Sequence, residues 1–149
     1  MVSSAQETTG GSPLAMTAAA FIFDAAGRLL LTREQDGVRR YGPPGGRVAP
    51  GESPQQAVIR AVLAGTGLRV RVHRLIGLYY FADEPWLACT FHCEIERGDP
   101  QALVTGERAE MGWFHSNDLP APLTTLLPHA LPDAVRRDYG TVRDVASQQ

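Results

Sequence analysis

The segment YGPPGGRVAPGESPQQAVIRAVLAGTGL, from Tyr41 to Leu68, most constrains what this chain can fold into. Its first half is so dense in Gly and Pro that it must be loop, with room for one short strand around Gly46 to Val48. Its second half opens a helix with explicit signals. Ser53 is placed to cap it, and Pro54 takes the first helical position, where a missing N–H costs nothing. Gln56 completes a capping box. Gly67 ends the helix, because glycine adopts the closing left-handed conformation without a Cβ penalty.

Strands flank this unit. MTAAAFIFDAAGRLLLTRE predicts a hairpin of two strands joined by a turn at Ala25-Ala26-Gly27. LRVRVHRLIGLYYFA predicts two strands, or one bent at Gly77, with a turn at Asp83-Glu84-Pro85. WLACTFHCEIE alternates cleanly, with Leu87, Cys89, Phe91, Cys93 and Ile95 on a core face and Trp86, Ala88, Thr90, His92, Glu94 and Glu96 on a polar one. Residues 97–110 are expected as a charged loop, GWF around Trp113 as a short strand, and Leu123 to Asp138 as a second helix interrupted by Pro128 and Pro132. The order β-β-loop-α-β-β-β-α is an α+β, α/β/α sandwich signature with a mixed sheet, not a doubly wound βαβ pattern. Residues 16–138 are expected to form one domain between a disordered N-terminal tail, 1–15, and a C-terminal tail, 139–149.

Charge and composition exclude several functions. A net charge of −2 over 149 residues argues against a nucleic-acid binder, which carries a basic excess. No apolar run approaches the ~20 residues that cross a bilayer, so no membrane partner is expected. MVSSAQETTGGSPLA has neither a basic start nor an apolar stretch, unlike a secretory signal. Cys89 and Cys93 face one side of one strand and fit buried free thiols in a reducing compartment, so a cytoplasmic location is expected.

The loop-helix segment resembles the Nudix box, and the chain is similar to the MutT-like branch of the Nudix hydrolase superfamily over roughly residues 16 to 135. Gly46 falls on the first Gly of that pattern, Glu52 on its first Glu, Arg60 on its Arg, Val62 on an apolar position and Gly67-Leu68 on the closing pair. PPGG before it, PGES within it and WFHSNDLP after it fit the same family. The resemblance implies a Nudix-type sandwich, a small-molecule ligand such as a nucleotide, and possible assembly as a homodimer.

It also implies carboxylates where this chain has none. In the family, the Glu after the Arg and a Glu pair beyond it bind divalent cations that neutralise a pyrophosphate. Positions i, i+3 and i+4 share one helix face, so three carboxylates there converge on a hard ion. Here they are Ala61, Ala64 and Gly65, beside Ala57. No metal is therefore expected at the usual site, with Mg²⁺ or Mn²⁺ relevant only if acids outside the helix take over.

Glu52, Glu107 and Glu110 are the candidate catalytic acids. Glu107 and Glu110, in GERAEMGWF, occupy a loop from which some Nudix enzymes supply an acid or base, yet a charged loop explains them as simply. Glu52 is equally explained as a partner for Arg60, which is expected to bond Glu52, Glu107, Glu110 or loop carbonyls. Arg39, Arg40, Gly45, Gly46 and Arg60 are the candidate ligand-binding residues. Gly45 and Gly46 offer backbone N–H groups to a phosphate, although Gly and Pro there equally serve to turn the chain. Tyr79, Tyr80, Phe81 and Trp86 are available to stack on a flat ligand or to pack a core.

Three functions follow. The first is a Nudix-fold protein that binds a nucleotide or other phosphorylated molecule with weak or no metal-dependent hydrolysis. The second is a divergent hydrolase of nucleoside diphosphate-linked substrates using Glu52 and acids outside the helix. The third is an enzyme with non-hydrolytic chemistry on an unphosphorylated molecule, in a cleft enlarged by the small residues.

Overall fold

A computed structural model describes residues 14–83, 85–99 and 111–145. In chain order they form β1 (Ala15–Phe21), β2 (Leu29–Arg33), β3 (Tyr41–Gly42), β4 (Gly45–Arg47), α1 (Pro54–Thr66), β5 (Arg69–Phe81), β6 (Trp86–Arg97), β7 (Met111–Phe114), α2 (Leu126–Arg136) and β8 (Thr141–Val145). A mixed five-stranded sheet runs β4-β1-β6-β5-β8, and a three-stranded sheet runs β3-β2-β7. One core lies between the large sheet and α1, built on Ala57, Val58 and Val62 with Ala18, Ala20, Phe91 and Cys93. A second lies on the other face under α2, where Leu127, Ala130 and Leu131 meet Ala19, Phe21, Tyr79 and Ala88. Successive residues of β1 alternate between the two cores, as strand geometry requires. This is the expected α+β sandwich.

Helix α1 follows its sequence signals. The Ser53 hydroxyl accepts from Gln56 N at 3.1 Å while the Gln56 side chain accepts from Ser53 N at 2.9 Å. Gly67 closes the helix at φ 79°, its N–H donating to Leu63 O. Both thiols are buried and free.

Several expectations are corrected. The turn at Ala25-Ala26-Gly27 forms, with Gly27 at φ 81° and a bridge between Phe23 and Leu29, but the flanking strands then part into different sheets. Leu30 faces the α1 core, whereas Leu29 and Leu31 face the α2 core, so β2 is buried on both sides. Strand β6 has no purely polar face either. Ala88 and Thr90 are fully buried because α2 covers that side, and only the end beyond His92 is polar. Strand β5 is continuous, with pairing shifts near Gly77. Gly77 is needed for a close approach rather than a bend: a Cβ there would lie 2.4 Å from the Thr141 hydroxyl and 2.9 Å from its carbonyl.

Helix α2 begins at Leu126 and runs unbroken through Pro132. Pro128 lies in the first turn, where N–H groups have no helical partner, and Pro132 lies on the exposed face, where water can take the abandoned carbonyl. The segment 139–149 is not simply a tail. Thr141–Val145 pairs in parallel with Gly77–Phe81 and closes one edge of the large sheet. At the other terminus β1 already begins at Ala15, inside the segment 1–15 expected as tail. Residues 1–13 and 146–149 lie outside the described residues.

Candidate functional site

The Gly-rich loop is pressed against β1. Gly45 and Gly46 pair antiparallel with Ala19 and Ala18, and Ala20 N donates to Pro44 O at 2.8 Å. A Cβ on Gly45 would sit 2.1 Å from Ala18 O, so only glycine permits this approach. These backbone groups are therefore partly spent on the sheet. Gly46 also packs on α1, with the position of its missing Cβ 3.3 Å from the Ala61 methyl.

A cleft of about 550 Å³ opens beside this contact. Ala61 and Gly65 of α1, with Gly45 and Gly46, form one side, while Arg33, Arg40, Trp86 and Thr124 line the rest. Arg33 is the best-held cation. Its Nε donates to Arg39 O at 2.9 Å and its guanidinium lies 5.0 Å above the Tyr41 ring, leaving the terminal nitrogens without an acceptor among the described residues. Arg40 uses its backbone N–H on Glu34 at 2.9 Å and holds its guanidinium 3.9 Å from the same carboxylate. Trp86 stacks on Phe81 at 4.3 Å and donates from its indole N–H to Thr17 at 2.8 Å. The Thr124 hydroxyl is buried without a partner among the described residues.

The sequence-derived candidates separate here. Arg40, Gly45 and Gly46 reach the cleft. Arg39 does not line it; this residue adopts φ 62°, and its Nε donates to Glu34 O at 3.2 Å. Glu52 and Arg60 also fall outside, beside a shallow depression bordered by Arg47 and Pro50. Arg60 donates from Nε to Glu52 at 2.7 Å and from Nη2 to Glu52 at 2.9 Å and Arg47 O at 2.9 Å. Glu52 accepts in addition from Ala49 N at 3.0 Å. The pair ties the loop to α1, as expected for Arg60, and commits both Glu52 oxygens to partners outside the cleft that Ala61 lines. Glu107 and Glu110 lie outside the described residues.

The Arg60 hydrogen bonds, then that from Ala49, hold the Glu52 carboxyl well below the usual range, at about 2 instead of 4.5. A depressed folded-state value means the contribution is complete above pH 4.5 and disappears as pH falls through about 2. A carboxyl-detected NMR titration is expected to place the Glu52 midpoint near 2. A midpoint near 4.5 would mean that the loop tie does not form in solution.

Other candidates do not line the cleft. Glu94 accepts from Arg71, with Nε at 3.0 Å, and Glu96 is exposed. Tyr79 is buried, its hydroxyl donating to Asp133 at 2.6 Å. Trp113 packs against the α1 core. Sequence reasoning missed Arg33. Its signal was a cation two residues beyond Leu31 on the same strand face, an abrupt charge at the end of an apolar stripe.

Among the described residues, the donor chemistry beside α1 does not fit a divalent cation. Ala61, Ala64 and Gly65 present methyl groups and hydrogen, and among the described residues no three His, Cys, Asp or Glu side chains converge to hold a metal.

A Gly-rich loop feeding a capped helix across a mixed sheet, sandwiched by a second helix, defines the class, and the chain belongs to the Nudix family: the NUDIX domain profile matches residues 13–134. The MutT-like protein of Streptomyces ambofaciens is 27% identical over 134 residues, covering 90% of this chain and 85% of that one. A Bacillus subtilis (strain 168) protein named "Putative 8-oxo-dGTP diphosphatase" is 35% identical over 103 residues, covering 66% of this chain and spanning 65% of its own length. The solved MutT Nudix hydrolase of Burkholderia pseudomallei superposes with a TM-score of 0.70 at 27% identity, covering 82% of this chain and 98% of that one. No helix among the described residues is long and apolar enough to cross a membrane.

Proposed function

We propose that this chain binds a nucleotide or a similar phosphorylated small molecule, with little or no metal-dependent hydrolysis. The observation that carries the reading is the composition of the cleft: Arg33 and Arg40 stand among its walls with one acid, Glu34, which Arg40 faces, while the α1 side offers Ala61 and Gly65. A volume of about 550 Å³ suits a nucleotide-sized ligand. The edge of the Arg33 guanidinium that has no acceptor among the described residues supplies paired donors for a phosphate, its orientation already set by Arg39 O and the Tyr41 ring. Trp86 supplies a flat apolar surface. Attack at phosphorus requires the pyrophosphate charge to be neutralised, and two guanidinium groups do this less completely than clustered dications. Glu52 is committed to Arg60 and Ala49, which counts against its use as a replacement acid.

A panel of nucleoside di- and triphosphates, including 8-oxo-dGTP, tests the reading with Mg²⁺ or Mn²⁺. Phosphate and pyrophosphate release is expected to stay at the buffer level, while at least one member raises the melting temperature. The Arg33→Gln variant is expected to lose that shift. Robust metal-dependent release by the unaltered protein would overturn the proposal, as would a panel that never protects it.

A further inference from the structure

A second group of polar side chains surrounds Tyr139, between α2 and β8, and none of them lines the cleft beside α1. The Arg74 guanidinium lies 4.6 Å above the Tyr139 ring, and Arg137 Nη1 donates to the Tyr139 hydroxyl at 3.3 Å. His92 Nδ1 is 3.0 Å from that hydroxyl, and His73 stands edge-on to His92 with ring centroids 5.3 Å apart. His73, Arg74 and Arg137 are exposed; His92 and Tyr139 are half-buried.

The charges here do not balance. Glu94 pairs with Arg71, Asp138 with Arg136 and Asp133 with Arg143. Arg74 and Arg137 have no carboxylate partner among the described residues, although both contact one phenol ring. Two guanidinium groups brought to the same ring repel each other, and an anion between them would relieve the repulsion.

We propose that His73, Arg74, His92, Arg137 and Tyr139 form a niche for a small dianionic oxyanion, either free phosphate or a phosphomonoester. Tyr139 accepts from Arg137 and donates its own hydrogen to neutral His92 Nδ1. Burial, then Arg137 and His73, hold the His92 ring below its usual range, and Glu94 opposes them weakly. An arriving dianion favours the imidazolium. Protonated Nδ1 then donates to Tyr139, which releases the phenol hydrogen toward the oxyanion. Binding therefore takes up a proton and strengthens as pH falls.

Sulfate is the probe, because it stays dianionic between pH 6 and 8 where phosphate itself titrates. Sodium sulfate added to the full chain is expected to move the His92 and His73 ring signals and raise the His92 midpoint, with tighter binding at pH 6 than at pH 8. Sodium chloride at equal ionic strength should do neither. Arg74→Gln with Arg137→Gln is expected to weaken binding by about tenfold or more, the loss of two charge-assisted contacts. Arg33→Gln should leave it unchanged, which separates this niche from the cleft. At pH 8, free phosphate and glycerol phosphate compared directly identify the source of the dianion by which binds tighter. An equal response to chloride, or a folded double variant that binds sulfate undiminished, would refute the niche.

Discussion

Asp133→Ala is expected to lower the melting temperature by roughly 6–12 °C, corresponding to about 3 kcal/mol at this chain length. Asp133 is only 1% exposed, yet it is charged and accepts from three donors. Tyr79 Oη donates at 2.6 Å, and Arg143 donates from Nε at 2.7 Å and from Nη2 at 2.6 Å. These bonds join α2 and β8, which follow each other in the chain, to β5, which lies more than fifty residues earlier. Removing the carboxylate leaves the buried Tyr79 hydroxyl with the Thr141 side chain but without its acceptor at Asp133, which costs up to about 1–3 kcal/mol. Arg143 is 47% exposed and recovers water, so its loss is the smaller part. Tyr79→Phe, which deletes one donor and leaves the ion pair, should cost about half as much. The Arg143 bonds hold the Asp133 carboxyl below its ordinary value of 3.8 against the opposing effect of burial. This contribution is complete above pH 3.8 and is lost as pH falls through the depressed folded value, so the variant should lose that part of the acid sensitivity. Thermal melts from pH 2 to 7 measure both effects. A change below about 2 °C at pH 7 would mean that β8 is held by its backbone pairing alone.

This same network explains what the sequence concealed. Helix α1 was legible because its signals are local: Ser53, Pro54, Gln56 and Gly67 each act within one turn of the chain. Strand β8 was not, because TVRDV has no buried apolar alternation, and its anchors are Asp133 on α2 and the close approach at Gly77. The burial of Ala88 and Thr90 was hidden for a related reason. Small residues carry little apolar weight in a periodicity count, yet they are what a helix needs beneath it when it packs closely on a sheet. At the site, the family spacing located the loop, α1 and the Glu52–Arg60 tie. Arg33 escaped notice because its orientation depends on Arg39 O and on the Tyr41 ring, which come together only after β2 pairs with β3.

Installing three carboxylates on α1 is expected to create a metal response that the unaltered chain lacks. Ala61→Glu, Ala64→Glu and Gly65→Glu place side chains at i, i+3 and i+4, on one helix face that borders the cleft. The scaffold has room: a Cβ on Gly65 meets nothing within 4 Å, and Ala64 is exposed. Gly65 lies in the last turn, so replacing it favours the helix by less than the ~0.5–1 kcal/mol of an interior glycine. That offsets only a small part of the like-charge repulsion and of the cost of carboxylates at the C-terminal end. Without metal the triple variant should therefore melt somewhat below the parent. With Mg²⁺ or Mn²⁺ at ~100 times its dissociation constant, binding adds about 2.7 kcal/mol and raises the midpoint by roughly 5–11 °C, while the parent does not move. Nucleotide hydrolysis is a separate readout, because it needs the loop and water placement as well as the ion. Metal binding without turnover would locate the remaining deficit in those parts. A folded triple variant with no metal shift would show that missing carboxylates are not the decisive difference, and that the Gly45–Glu52 loop itself denies an ion its place.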